Sequence, residues 1–217
     1  YVAERAIRII REFGFGVGAS RVVGGERSFH RDLEDGLASF MGSEACLALV
    51  SGYSTNASLI GHVLSNNDLV IYDSLSHSSI MAGTSITRAK AMEFPHNDLD
   101  ALEALLTEHR SNSKRVMIVC EGLYSMDGDC VDLPRVIELK KRFNTWLYVD
   151  EAHSLGVLGK TGRGITEHFG IDRSEIDLTM GTLSKTFGTC GGFIGASRPV
   201  IEWLRHTLPG YVYSVGL

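Results

Sequence analysis

Six short apolar runs, separated by stretches that fit amphipathic helices, constrain the fold of this chain most strongly. The runs lack the strict alternation of half-exposed strands, so each is predicted to form a mostly buried strand. They are Ala45–Val50, Leu69–Tyr72, Val116–Cys120, Trp146–Val149, Ile176–Met180 and Phe193–Ala196. Strands that alternate with helices predict an α/β fold, a three-layer αβα sandwich in which helices cover both faces of a mainly parallel sheet.

Helical segments fill the intervals between these runs. In Leu99–Arg110 four leucines lie on one face, and Asn97 or Asp98 precedes them as a candidate N-cap. Leu133–Phe143 places apolar residues on one side and its Lys and Arg residues largely on the other. The other predicted helices are Val2–Phe13, Arg31–Phe40, Ser54–Leu64 and Pro199–Thr207. No internal boundary is visible, so a single domain is expected.

Charge and cysteine content exclude several classes of function. The chain of 217 residues has a net charge of −5 and no run of Lys or Arg, so a nucleic-acid or anionic-membrane surface is not predicted. Its longest apolar run, Ala45–Val50, is too short to span a membrane. The four cysteines are scattered without a C-x-x-C pair, which argues against a zinc site or a disulfide framework. A reduced, cytoplasmic protein is predicted.

Polar residues directly after a strand are the candidates for a site, because ligands bind at the carboxyl ends of parallel strands. The run from Trp146 leads straight into Asp150, and His153 follows three residues later. A buried carboxylate at a strand end needs a cationic or protonated partner. On its own, the same pattern also fits a surface turn or a metal-binding acid.

A second segment places Lys185 just beyond the strand predicted at Ile176–Met180, among hydroxyl residues and glycines. Partial burial would lower the pKa of such a lysine, and small neighbours would admit a ligand. A P-loop is excluded because Ser184 stands where glycine is required, and a Ser-x-x-Lys motif is excluded because Thr182 replaces the serine. A solvated loop lysine stays open as the alternative.

A third segment, Leu49–Asn56, combines a strand end, a glycine turn and a helix start. Backbone N–H groups at a helix N-terminus bind phosphate well, although ordinary helix capping explains the same residues. The glycines at 14–18 follow a helix and do not continue as G-x-G-x-x-G, so a dinucleotide-binding fold is rejected.

Together these segments resemble a known family. The strings Glu121–Asp129 (EGLYSMDGD), Asp150–Gly156 (DEAHSLG) and Gly181–Gly192 (GTLSKTFGTCGG) are similar to those of the α-oxoamine synthases. These are fold-type I enzymes that depend on pyridoxal 5′-phosphate (PLP), and the resemblance covers essentially the whole chain. Within the family, the three strings of this chain are most similar to those of serine palmitoyltransferases.

The resemblance implies a role for each matching residue. Lys185 would hold PLP as a Schiff base and later carry the α-proton of the substrate. Asp150 would pair with the protonated pyridine nitrogen, and His153 would contact the phenolic oxygen, with Ser125 nearby. His77 would stack on the cofactor ring.

The same resemblance implies phosphate contacts from Gly52, Tyr53 and Thr182. Ser214 matches a family position that reaches the phosphate of the neighbouring subunit. A homodimer with active sites at its interface is therefore implied.

The implied reaction joins an amino acid, with serine favoured, to an acyl-CoA, usually with loss of CO2, to give an α-aminoketone. Alternatives within the family are 8-amino-7-oxononanoate synthase activity, 2-amino-3-ketobutyrate CoA ligase activity, or an assembly-line domain that uses a carrier-bound acyl group. From other classes, an aminotransferase or lyase and a non-catalytic partner subunit stay open, although such subunits typically lack the lysine found at 185.

Family members continue beyond both ends of a stretch like this one. Residues 1–217 are therefore expected to be the large PLP-binding domain, without the N-terminal segment and the C-terminal small domain. That small domain usually supplies an arginine for the substrate carboxylate. Alone, the stretch is expected to bind PLP weakly and to turn over poorly.

Overall fold

The computed structural model describes residues 1–217 and contains seven strands and nine helices. The strands are β1 (Ala45–Leu49), β2 (Leu69–Asp73), β3 (Lys90–Phe94), β4 (Val116–Glu121), β5 (Trp146–Asp150), β6 (Leu178–Thr182) and β7 (Gly192–Ala196). The first five helices are α1 (Val2–Phe13), α2 (Ser28–Met41), α3 (Gly52–Val63), α4 (Ser78–Ile86) and α5 (Leu99–His109). The others are α6 (Leu133–Phe143), α7 (Ile165–Phe169), α8 (Arg198–Thr207) and α9 (Pro209–Val212).

All seven strands form one sheet in the order β1-β7-β6-β5-β4-β2-β3. The pairs β2–β3, β2–β4, β4–β5 and β5–β6 are parallel. Strand β7 is antiparallel to both of its neighbours, β6 and β1. The predicted mainly parallel sheet is confirmed, and the carboxyl ends of β1, β2, β4, β5 and β6 therefore meet at one edge.

Helices cover both faces of the sheet, and the strand side chains alternate between two cores. In β5, Tyr148 packs with residues of α3 and α8, whereas Leu147 and Val149 pack with residues of α5 and α6. All three side chains are fully buried. Burying side chains of this size contributes about 1.5–3 kcal/mol each, so the double-sided burial fixes the sheet between its helical layers.

Strand β3 and helices α4, α7 and α9 were not predicted from the sequence. Strand β3 forms an edge of the sheet, and Lys90, Ala91 and Glu93 are exposed, so it has no apolar run. The fifth predicted strand, Ile176–Met180, is displaced: β6 begins at Leu178 and extends to Thr182. At α5, Asp98 rather than Asn97 accepts the capping hydrogen bond. No helix is both long and apolar enough to cross a membrane.

Candidate active site

Most of the residues predicted to carry chemistry gather around the carboxyl edge of the sheet. Asp150 ends β5, Thr182 ends β6, and Glu121 ends β4. These three residues are buried, with 3 to 6% of their surface exposed. Tyr53 and Lys185, in contrast, are exposed. The site is therefore an open cleft with a buried polar floor.

Lys185 lies in the loop between β6 and β7 and contacts His153, which follows β5. Its Nζ is 2.6 Å from Nε2 of His153. Although Lys185 is exposed as a residue, partial burial of its amine lowers its pKa, against the opposing charges of Asp150 and Glu121. Burial and the charge of Lys185 also lower the pKa of His153. A neutral imidazole can accept this hydrogen bond from Nζ at its unprotonated Nε2.

Asp150 is held by donors on both of its oxygens. The backbone N–H of Ala152 donates to Oδ1 at 2.9 Å, and Nδ2 of Asn56 donates to Oδ2 at 2.7 Å. The same Nδ2 group donates to Oγ of Ser79 at 2.8 Å, and the Tyr148 hydroxyl donates to Oδ1 of Asn56. Asn56 is fully buried, so these bonds hold both its amide plane and the carboxylate in place.

His77 caps the N-terminus of α4 and joins the same network. Its Nδ1 accepts from the backbone N–H of Ser79 at 3.3 Å and lies 2.7 Å from the Ser79 hydroxyl. Because Nδ1 acts as an acceptor, the proton of the neutral ring is assigned to Nε2. The ring of Tyr53 lies edge-on to the His77 ring, with centroids 6.4 Å apart.

The start of α3 presents backbone donors beside Thr182. Ser51 is the N-cap and accepts from the N–H of Ser54 at 3.1 Å, so the helix begins at Gly52, two residues earlier than predicted. The first N–H groups of a helix have no partner within the helix, and those of Gly52 and Tyr53 are of this kind. A methyl group on Gly52 would lie 3.0 Å from Oγ1 of Thr182, so glycine allows this close approach.

Two predicted residues do not join this arrangement within the chain. Ser125 is exposed in the loop after β4, and Ser214 is half-buried after α9. Neither makes a hydrogen bond to the other predicted residues. Their predicted roles stay predictions, and that of Ser214 involves a neighbouring subunit.

The loop that carries His153 is tied down by a buried ion pair. Nη1 of Arg173 lies 2.7 Å from Oε1 of Glu151, and the side chains are 7% and 0% exposed. Oε2 of Glu151 accepts from the backbone N–H of Ile165 at 2.9 Å and from the Ser154 hydroxyl. Such a satisfied pair holds the loop in one position.

Sequence reasoning missed Asn56, Ser79 and Tyr148, and gave Glu121 no role. Asn56 belongs to a segment that was interpreted only as a helix start. The available signal was its spacing: Asn56 follows Gly52 by four residues and so lies on the same helix face, near the predicted phosphate site.

A separate cavity lies away from these residues. It has a volume of about 420 Å³ and is lined in part by Trp146, Leu178, Ala196 and Trp203. Trp146 and Leu178 begin β5 and β6, and Ala196 ends the antiparallel β7, so the cavity lies at the opposite edge of the sheet. It contains none of the predicted site residues.

Comparisons with known proteins agree with the fold. The family described as "Aminotransferase class I and II" matches residues 2–217. The chain is 42% identical to 8-amino-7-oxononanoate synthase of Geobacter sulfurreducens over 212 residues, which are 98% of this chain and 54% of that protein. It is 39% identical to serine palmitoyltransferase of Bacteroides thetaiotaomicron, covering 98% of this chain and 54% of that protein.

A solved structure of serine palmitoyltransferase from S. paucimobilis, with a bound PLP–myriocin aldimine, superposes with a TM-score of 0.95 at 31% identity. The superposition covers 100% of this chain and 54% of that one. The chain thus spans about half the length of the relatives that it matches.

A mainly parallel seven-stranded sheet with helices on both faces is the fold of the large domain of the fold-type I PLP enzymes. The chain belongs to the class I and II aminotransferase family, among the α-oxoamine synthases.

The residues of the cleft fit PLP. A primary amine at Lys185 suits an aldehyde, and the Asp150 carboxylate suits a protonated ring nitrogen. The N-terminus of α3 suits a phosphate, because its N–H groups and helix dipole favour an anion.

Proposed function

We propose that this chain is the PLP-binding catalytic domain of an enzyme that condenses an amino acid with an acyl-CoA. The product is an α-aminoketone, formed in most members of the family with loss of CO2. Serine with a long-chain acyl-CoA is the favoured substrate pair. The observation that carries the proposal is the convergence of Lys185, His153 and Asp150 at one edge of the sheet.

PLP, when bound, supplies the electron-accepting ring that stabilises negative charge at the α-carbon of the amino acid. Asp150 would keep the ring nitrogen protonated, because a buried carboxylate oriented by Asn56 and Ala152 favours a positive charge beside it. Gly52, Tyr53 and Thr182 would hold the phosphate, and His77 would face the ring.

Lys185 would hold the cofactor and move the α-proton of the substrate at Nζ. Partial burial lowers the pKa of its amine, so a larger fraction is neutral and nucleophilic at a given pH than for an ordinary lysine. His153 would accept a hydrogen bond from Nζ and so orient it, as their separation of 2.6 Å supports.

A second candidate is 8-amino-7-oxononanoate synthase activity. The relative of that name from Geobacter sulfurreducens is 42% identical, against 39% for the serine palmitoyltransferase of Bacteroides thetaiotaomicron. The product 8-amino-7-oxononanoate would be built from alanine and a dicarboxylic acyl-CoA. The two candidate reactions therefore differ in both substrates. 2-Amino-3-ketobutyrate CoA ligase activity and a carrier-bound acyl donor are further alternatives.

We also propose that the protein is a homodimer located in the cytoplasm. Residues 1–217 would form the large domain, and two copies would share their sites, with Ser214 of one copy facing the other. All four cysteines are free, which supports a reducing compartment such as the cytoplasm.

The test is a substrate screen on the full-length protein loaded with PLP. Amino acids are added one at a time, and the visible absorbance is followed. Acyl-CoA thioesters, both long-chain and dicarboxylic, are then added with a thiol reagent that detects released CoA. We expect a spectral shift and thiol release with serine and a long-chain acyl-CoA, and no thiol release with Lys185→Ala.

Thiol release with alanine and a dicarboxylic acyl-CoA would instead favour the second candidate. Formation of a 2-oxo acid from the amino acid, with no release of CoA, would contradict the proposal and indicate an aminotransferase.

A further inference from the structure

Glu121 is a buried acid beside Asp150 that the proposed chemistry does not use. The two residues are register partners at the ends of the parallel strands β4 and β5, so their side chains point to the same side of the sheet. They are 3% and 4% exposed. The backbone N–H of Gly122 donates to the carbonyl of Asp150 at 2.8 Å, which holds the two strand ends together.

The carboxyl group of Glu121 holds the backbone of His77. Its Oε1 accepts from the N–H of His77 at 2.6 Å, at the residue that caps α4. Its Oε2 has no hydrogen-bond partner in the chain. The backbone N–H of Glu121 itself donates to the hydroxyl of Tyr124 at 3.3 Å, so the residue is anchored at both ends.

No arginine or lysine forms an ion pair with Glu121. The charged groups that act on it are Asp150 on β5, Asp73 on β2 and Lys185 in the β6–β7 loop. Burial and the charge of Asp150 raise the pKa of Glu121 to about 8, against the hydrogen bond from His77 and the charge of Lys185. Two acids in adjacent buried positions rarely both ionise, and Asp150 has the donors that stabilise a negative charge.

We propose that Glu121 is a positioning residue whose protonated carboxyl group fixes His77 at the cofactor face and leaves Asp150 as the charged member of this pair of acids. The inference rests on the proposed function. The His77 side chain is linked to Asp150 by hydrogen bonds through Ser79 and Asn56. Glu121 adds a second link, because its carboxyl group binds the backbone N–H of His77 and it pairs with Asp150 across the strands.

The first test measures the protonation of Glu121 without cofactor. The ¹³C NMR signals of the glutamate carboxyl groups are titrated in the full-length, PLP-free protein, and the Glu121 signal is assigned by its loss in Glu121→Gln. We expect a midpoint near pH 8, well above those of the exposed glutamates. A midpoint in the ordinary range of about 4 to 5 would overturn the inference.

The second test measures the cofactor environment. Glutamine keeps an acceptor for the His77 N–H and carries no charge, so Glu121→Gln should bind PLP within about twofold of the unchanged protein and retain its visible circular dichroism. Glu121→Ala should bind PLP roughly tenfold more weakly, which corresponds to the loss of about 1.4 kcal/mol. Glu108→Gln, at an exposed position, is the matched control and should change nothing.

Equal losses in Glu121→Gln and Glu121→Ala would contradict the inference, because the charged form would then be the one required. Failure of the unchanged protein to bind PLP through Lys185 would instead refute the proposed function. The carboxyl titration can be measured in either case, so the two failures are distinguishable.

Discussion

The side-chain amide of Asn56 donates a 2.7 Å hydrogen bond to the carboxylate of Asp150, from a residue 94 positions away in the chain. Both groups are buried, at 0% and 4% exposure. Asn56 also donates to Ser79 and accepts from Tyr148, so one amide links α3, α4 and β5. The orientation of the acid on the floor of the cleft therefore depends on a residue of the first helix after β1.

Asn56→Ala is expected to destabilise the fold and to weaken PLP binding. The substitution leaves the Tyr148 hydroxyl and an oxygen of Asp150 without their partner, which costs about 1–3 kcal/mol for each buried group left unsatisfied. Urea unfolding gives the free energy, and fluorescence titration gives the PLP affinity. Asn66→Ala, at an exposed turn, is the control and should stay within about 0.5 kcal/mol. Equal effects of the two substitutions would contradict the role of Asn56.

Gly156→Ala is expected to displace the loop that carries Lys185. Gly156 has φ +77°, and a methyl group there would overlap the side chain of Thr186. Thr186 follows Lys185 directly, and its hydroxyl donates to the carbonyl of Leu155 at 2.7 Å. The variant should therefore bind PLP at least about tenfold more weakly, a loss of about 1.4 kcal/mol or more.

Gly128→Ala is the control that distinguishes the effect of the steric clash at Gly156 from the effect of backbone strain. Gly128 has φ +73°, yet a methyl group there meets no atom within 4 Å. Both substitutions force alanine into the left-handed region, at a cost of about 1 kcal/mol. Only Gly156→Ala should weaken PLP binding, and an equal loss in Gly128→Ala would show that strain alone is responsible.

The strands and the site motifs could be predicted from the sequence because burial on both faces requires continuous apolar runs. Strand β3 could not, because as an edge strand it exposes Lys90 and Glu93 and shows no such run. The reversal of β7 could not either, since an apolar run carries no sign of its direction. Helix α4 begins at Ser78 and was not predicted from its Ser- and Gly-containing sequence.

The site roles of Lys185, Asp150 and His153 were predicted because each residue follows an apolar run, in a motif similar to those of the α-oxoamine synthases. Asn56 and Ser79 were not, because their contacts join segments that are distant in sequence. A buried hydrogen bond between a helix and a strand leaves no periodic pattern. Glu121 begins the motif Glu121–Asp129, but its role depends on the register of β4 against β5, which only the structure supplies.

His96 is expected to make stability depend on pH. Its Nδ1 lies 2.9 Å from Asp73 and its Nε2 lies 3.0 Å from Asp129, in the loop that carries Ser125. Burial opposes protonation, but the hydrogen bonds and charges of the two aspartates outweigh it and raise the pKa of His96. Its stabilisation is therefore complete below the unfolded value of about 6.5 and is lost as the pH rises through the folded pKa.

His96→Gln should accordingly lower the free energy of unfolding more at about pH 6 than at about pH 9, by roughly 1 kcal/mol. Chemical denaturation at the two pH values measures the difference. His206→Gln, at an exposed position on α8, should show no such dependence. A larger effect of His96→Gln at the higher pH would reverse the sign and contradict the assignment.

In the proposed function, Lys185 forms the covalent link to PLP. The most direct measurement is borohydride reduction of the full-length protein after loading with PLP, followed by peptide mass mapping. We predict a reduced phosphopyridoxyl group on the peptide that contains Lys185, none on the exposed Lys160, and none anywhere in Lys185→Ala. Modification that misses Lys185, or that persists when this lysine is replaced, would show that Lys185 does not hold PLP.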